Sequence, residues 1–153
     1  TVGVGHYLDG STRSRSSVRK ALPDINYNDL KDGKISLTEK QSQLLFKNDV
    51  VDYIKQVRSL SPNFDNYSLT LRKNLVAATY RGSWRGSPKT RKLLKEGKYE
   101  EAAKEFLNND EYREAKKPKS GKRGVALRME EVAKAIKNEK EQKELEETRR
   151  ANQ

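Results

Sequence analysis

Between Thr38 and Ser59 the chain carries Leu45, Phe46, Val50, Ile54 and Val57 at helical spacing. Apolar residues recurring every three or four positions fall on one stripe of a 3.6-residue helix. The start is also marked. Thr38 with Gln41 three residues on has the form of a capping box, in which each side chain satisfies the other residue's orphan backbone N–H. Ser61-Pro62-Asn63 supplies the stop. Such a helix spans about 30 Å at 1.5 Å per residue. That is long for a small domain, and a rod of this length is placed to bridge two lobes.

Composition limits what can surround it. Of 153 residues, 33% are hydrophobic and 36% charged, which is too polar for a uniformly folded chain. One compact domain with a solvated extension is expected. No apolar run reaches the length of a membrane span, and there is no hydrophobic signal segment. The absence of cysteine excludes thiolate metal sites, disulfides and thiol nucleophiles. The lone histidine, His6, argues against a histidine-rich metal site or a Ser-His-Asp triad, and neither a metal nor a cofactor is expected. The net charge of +11 favours a polyanionic partner, for which nucleic acid and anionic bacterial envelope polymers both qualify.

The opening stretch Thr1–Leu8 reads as a strand, with Gly3 and Gly5 removing side chains from one face so that a ligand or backbone can approach. Asp9-Gly10 is a hairpin-type turn signal. Residues 11–20 are rich in Ser and Arg and read as a surface loop or strand-to-helix connection, with an RNA-binding basic tract as the alternative; residues 28–33 are again loop-like. Tyr67–Tyr80 is the most apolar window and reads as a buried helix. Arg81–Gly86 breaks it, and Trp84 is either a stacking ring for a sugar or base or a cover on the core. Ser87-Pro88 opens a helix that Gly97 stops. Tyr99, Ala102, Ala103, Phe106 and Leu107 form an amphipathic helix, and Asp110 is placed to cap a further turn. Residues 116–123 form a basic loop, and Val125, Met129, Val132 and Ile136 stripe a last core helix. Beyond it, residues 137–153 hold one sizeable apolar residue, Leu145, and read as a charged tail, helical or frayed. The outline is α+β, mostly α: a small β-hairpin lobe, a long helix and a helical lobe over 1–136, then the tail 137–153.

Thr1-Val2-Gly3-Val4-Gly5-His6 resembles the Thr-(Ile/Val)-Gly-x-Gly-His strand of the phage-type lysozymes, the muramidases that tailed bacteriophages use as endolysins or tail lysozymes. Leu45-Phe46-Lys47-Asn48-Asp49-Val50, Lys98–Ala103 and Gly124–Arg128 are similar to later motifs of that family, in the same order. The resemblance covers roughly Thr1 to Ile136.

The resemblance implies a two-lobed lysozyme-like fold and hydrolysis of the bond between N-acetylmuramic acid and N-acetylglucosamine in peptidoglycan. It implies a phage-encoded protein acting at the host periplasm and wall or in a virion tail, monomeric unless part of a tail assembly. It makes Thr1 the residue that helps hold the attacking water. The family's acid Glu and partner Asp would both precede Thr1, so the chain is expected to be a fragment lacking them. His6 and Asp49 match a structural ion pair that favours the charged imidazole. Tyr7, Tyr80 and Arg81 fall near the substrate cleft, with an arginine where the family often has an amide, and Ser87–Thr90 border its far wall. Three competing readings stand beside this one. They are a peptidoglycan-binding domain without activity, a basic nucleic-acid-binding protein, and an N-terminal-threonine hydrolase using Thr1 as nucleophile.

Overall fold

In the computed structural model, residue 6 and residues 8–152 are described. The chain divides into two compact units, residues 1–54 and 55–153, with the division falling inside the long helix. Each unit is taken by itself.

In the first unit, α1 (Thr12–Ala21) and α2 (Tyr27–Lys31) precede α3 (Glu39–Leu60). The expected β-hairpin lobe is not seen: His6 is an isolated bridge residue, and no strand forms among the described residues. The rest of the expected Thr1–Leu8 strand, Leu8 apart, lies outside the described residues. Where the hairpin's return strand would run, the chain is helical. Ser11 is the reason, its side chain accepting from the Ser14 N–H and so supplying the N-terminal cap of α1. Gly10, at φ 77°, turns the chain into that cap through the left-handed region. The Asn26 side chain caps α2 in the same way by accepting from the Asp29 N–H, so the loop expected over 28–33 is partly helix.

The core of this unit is small. Leu8, Val18, Leu22, Leu30 and Leu45 are buried together, with Ile25, Ile35 and Leu37 packed against them. The capping box of α3 is formed in both directions: Thr38 N–H donates to Gln41 Oε1 at 2.8 Å, and Gln41 N–H donates to Thr38 Oγ1 at 3.2 Å. The apolar stripe of α3 is narrower than its spacing predicts. Leu45 and Val57 are fully buried, but Phe46 is 43% exposed.

The second unit is wholly helical. α4 (Leu69–Tyr80), α5 (Pro88–Lys95), α6 (Tyr99–Phe106), α7 (Asp110–Ala115), α8 (Arg123–Lys137) and α9 (Glu139–Ala151) follow a short 3-10 turn at Phe64–Asn66. α8 packs on both α6 and α4, and α5 packs on α6. Gly97, at φ 76°, ends α5: its N–H bonds Leu94 O and the Lys98 N–H bonds Leu93 O, both at 3.0 Å. That paired arrangement after a left-handed glycine satisfies two orphan carbonyls. The cap of α7 is Asn109, whose side chain accepts from Tyr112 N–H; Asp110, expected in that role, is the first helical residue.

Trp84 resolves the alternative left open by the sequence. It is fully buried, donates from Nε1 to Ser61 Oγ at 2.9 Å, and lies tilted against Phe106 with ring centroids 6.1 Å apart. An indole so enclosed covers the core and offers no face to a sugar or base. The segment 137–153 belongs to this second unit. Glu139 is 1% exposed, accepting from Ser68 N–H at 2.8 Å and from Ser68 Oγ at 2.5 Å. Glu146 accepts from Leu69 N–H at 2.8 Å. Two carboxylates of α9 therefore sit on the N-terminus of α4, where the helix dipole and unpaired N–H groups favour negative charge. Among the described residues no helix is long and apolar enough to cross a membrane.

Candidate functional site

In the first unit the lone histidine is tied on both sides. His6 Nδ1 lies 2.7 Å from Asp49 Oδ2, and Nε2 lies 3.0 Å from Ser14 Oγ. Asp49 also accepts from Ser17 Oγ, which in turn accepts from Asn48 Nδ2. Ser14 Oγ is 2.8 Å from the Tyr27 hydroxyl, which accepts from Gly10 N–H at 3.0 Å. An arrangement consistent with these contacts has Tyr27 donating to Ser14, Ser14 to Nε2, and Nδ1–H to Asp49.

The topology is that of Ser-His-Asp, which the single-histidine composition argued against. The use is different. Ser14 is 5% exposed, sits under the first turn of α1, and its oxygen is engaged by Tyr27 as well as His6. A nucleophile needs an open approach to its oxygen. The relay instead links the chain entering α1 to α2 and α3 across 43 residues of sequence.

The second unit holds a cavity of about 490 Å³. The turn after α4 contributes Arg81, Gly82, Ser83 and Gly86, and the start of α5 contributes Ser87, Pro88, Lys89 and Thr90. Glu105 of α6, Asn108 and Asn109 from the break after it, Glu111 of α7 and Met129 of α8 line the rest. A neighbouring cavity of about 280 Å³ shares Arg81, Ser83, Glu111 and Met129 and adds Arg128. The two volumes adjoin along these four shared residues.

Local sequence explains this shape. Gly82, at φ 81°, and Gly86 let the chain fold back tightly between α4 and α5, and burial of Trp84 pins that turn to the core. The first residues of α5 therefore border the cavity. Desolvation first, then the neighbouring Arg128 charge, lowers the Arg81 pKa below the ordinary guanidinium range, while Glu131 and Tyr80 act the other way. The guanidinium thus sits in a place that disfavours its charge. Arg81, Lys89 and Arg128 form no ion pair among the described residues.

Of the residues singled out by sequence, Arg81 and Ser87–Thr90 are brought together in this cavity. Tyr80 closes α4, is 45% exposed, and is not among the lining residues. Thr1 and Tyr7 lie outside the described residues. Sequence reasoning passed over Glu105, Asn108, Asn109 and Glu111. The only available signal was the Asn108-Asn109 break between two short helices. No group of three or more His, Asp or Glu side chains is placed to hold a metal ion among the described residues. Compared with protein-family models, curated proteins and solved structures, the chain matches none of them.

Proposed function

We propose that the chain acts on bacterial peptidoglycan as a lysozyme-like domain of the phage type, at the bond between N-acetylmuramic acid and N-acetylglucosamine. The observation that carries this reading is the cavity. Arg81 and Ser87–Thr90, which the resemblance places at one substrate cleft, line a single volume large enough for a sugar unit and its substituents, within one turn of the chain between α4 and α5. The His6–Asp49 contact, a pairing the resemblance also names, supports it from the other unit. Charge agrees. Residues 55–153 hold 25 Lys and Arg against 15 Asp and Glu, while residues 1–54 are nearly balanced at eight against seven. The unit with the cavity is therefore the one an anionic polymer attracts.

Cleavage of this kind needs a carboxylic acid to protonate the leaving oxygen and a second group to manage water or the developing cation. Thr1 takes the water-positioning role in this proposal. No residue of the chain matches the acid by motif. A second reading is a domain that binds the polymer without cleaving it. The test is co-sedimentation with purified peptidoglycan alongside a turbidity assay, using the protein as its full reading frame encodes it. Binding with clearing supports the first reading, binding alone the second, and no binding at physiological salt overturns both.

A further inference from the structure

We infer, independently of the glycan reading, that α9 is an exchangeable clasp. A hinge at Asn138 lets it leave the N-terminus of α4 in its own chain and take the same place on a second copy, giving a symmetric dimer.

The clasp is polar throughout. Glu139 is the one buried residue of α9. Gln142 and Glu146, three and seven positions on, share its face and are half-buried, while Leu145 is 54% exposed. The grip consists of the Glu139 bonds to Ser68 N–H and Oγ and the Glu146 bond to Leu69 N–H. A cavity of about 190 Å³ lies between α9 and the chain entering α4, with Tyr67, Ser68, Arg72, Lys143, Glu146 and Arg150 on its walls. The fully buried apolar side chains of this unit, Leu71, Leu75, Trp84, Phe106 and Ile136 among them, all precede the hinge. A helix attached without apolar burial leaves at little hydrophobic cost.

The hinge is a single residue. Asn138 N–H bonds Lys134 O at 3.0 Å and Gln142 N–H bonds Asn138 O at 2.9 Å, both with the spacing of α-helical bonds. Asn138 itself stands at φ −92° and ψ 7°, so its ψ is about 50° from the helical value. No Gly or Pro follows Gly124, and the Asn138 side chain makes no cap bond to α9. Local sequence therefore favours one straight helix from Arg123 to Ala151, roughly 40 Å long. The clasp holds the bend.

When α8 and α9 straighten into one rod, α9 swings off α4. Ser68, 2% exposed, then loses its acceptors, which disfavours an open monomer. The same two carboxylates from a second copy restore the bonds, and two chains that trade α9 satisfy both ends. Monomer and dimer share every clasp contact, so concentration and the stiffness of the hinge decide between them.

The experiment is sedimentation velocity on the full chain across a concentration series, followed by NMR on mixed samples. Asn138→Ala puts the strongest helix former at the hinge. With two hinges per dimer, it should tighten dimerisation about tenfold, and Asn138→Gly should weaken it. Glu146→Ala should hasten conversion between separated monomer and dimer severalfold while moving their ratio little, because it weakens the same bond in both. The chain has no cysteine of its own, so Thr148→Cys on α9 takes a single nitroxide. Asn138→Ala chains carrying it, mixed with isotope-labelled Asn138→Ala chains, should broaden the Ser68 and Leu69 amides of the labelled copy. The remaining amides report that each variant is folded. An Asn138→Ala chain that stays monomeric at millimolar concentration, a dimer in which the Ser68 and Leu69 amides stay sharp, or a dimer that Asn138→Gly strengthens would each overturn the proposal.

Discussion

Replacing Thr90 by valine should make the protein more stable. Valine has nearly the shape of threonine, and the two differ little in helix propensity. The substitution exchanges a hydroxyl for a methyl at a site that is 1% exposed. The hydroxyl makes no hydrogen bond among the described residues, so nothing is broken by its removal. An unsatisfied buried polar group costs about 1–3 kcal/mol, and that cost disappears in the variant. For a chain of this size about 1 kcal/mol moves the midpoint by roughly 2–4 °C, so a rise of about 2–12 °C is expected. Thr79→Val is the matched control. Thr79 is also buried, but its Oγ1 donates to Leu75 O at 2.8 Å. That variant should lose about 0.5–1.5 kcal/mol. Thermal unfolding by circular dichroism or calorimetry reads both. A midpoint that falls in Thr90→Val, or variants that move together, would refute the reasoning, because the Thr90 hydroxyl would then have to be satisfied in solution.

The remaining predictions concern the two units separately. Glu139→Ala orphans the buried Ser68 N–H and should cost about 3 kcal/mol in chemical denaturation, while Glu139→Gln, which keeps one acceptor, should cost less. Burial, then Tyr99 and Glu139, raise the Tyr67 pKa to about 12 from 10.0. The folded state thus holds this proton when the unfolded state has lost it. The associated stability is intact below pH 10 and is lost as pH rises toward 12. With the ring only half-buried, about 1 kcal/mol separates wild type from Tyr67→Phe across that window, and parallel stability curves would contradict it. Asp49→Asn places an amide donor against His6 or Ser17, both of which bond to this side chain. It should destabilise the first unit by about 1–3 kcal/mol, read by hydrogen exchange in α1. A fluorophosphonate should label neither Ser14 nor Thr1; an adduct at Ser14 would show that the relay is nucleophilic, and one at Thr1 would restore the N-terminal-threonine hydrolase.

The helices of the second unit were legible because their signals are local. The apolar spacing of Tyr99–Leu107, the stop at Gly97 and the start at Ser87-Pro88 lie within a turn or two of what they specify. The capping box at Thr38 was legible for the same reason. α1 was missed because its ten residues bury only Ser14 and Val18, too few for a periodic stripe; Ser11 was the one available sign. The packing of α9 was illegible because a charged helix is held by carboxylates reaching Ser68 and Leu69, 71 and 77 residues away. Trp84 was undecidable for a similar reason, since its partner Ser61 comes from another segment. In the cavity, Arg81 and Ser87–Thr90 were singled out, but the glutamates that line it with them and the Thr90 hydroxyl, unpartnered among the described residues, are products of packing that no local pattern encodes.

The central claim is the bond acted upon, and the chemistry of the new chain ends tests it most directly. Peptidoglycan digested with the protein from its full reading frame, reduced with borohydride and hydrolysed, should yield muramitol, because cleavage at that bond leaves a reducing N-acetylmuramic acid. Reduced glucosamine in its place, or no new reducing ends while the polymer remains bound, would contradict the claim.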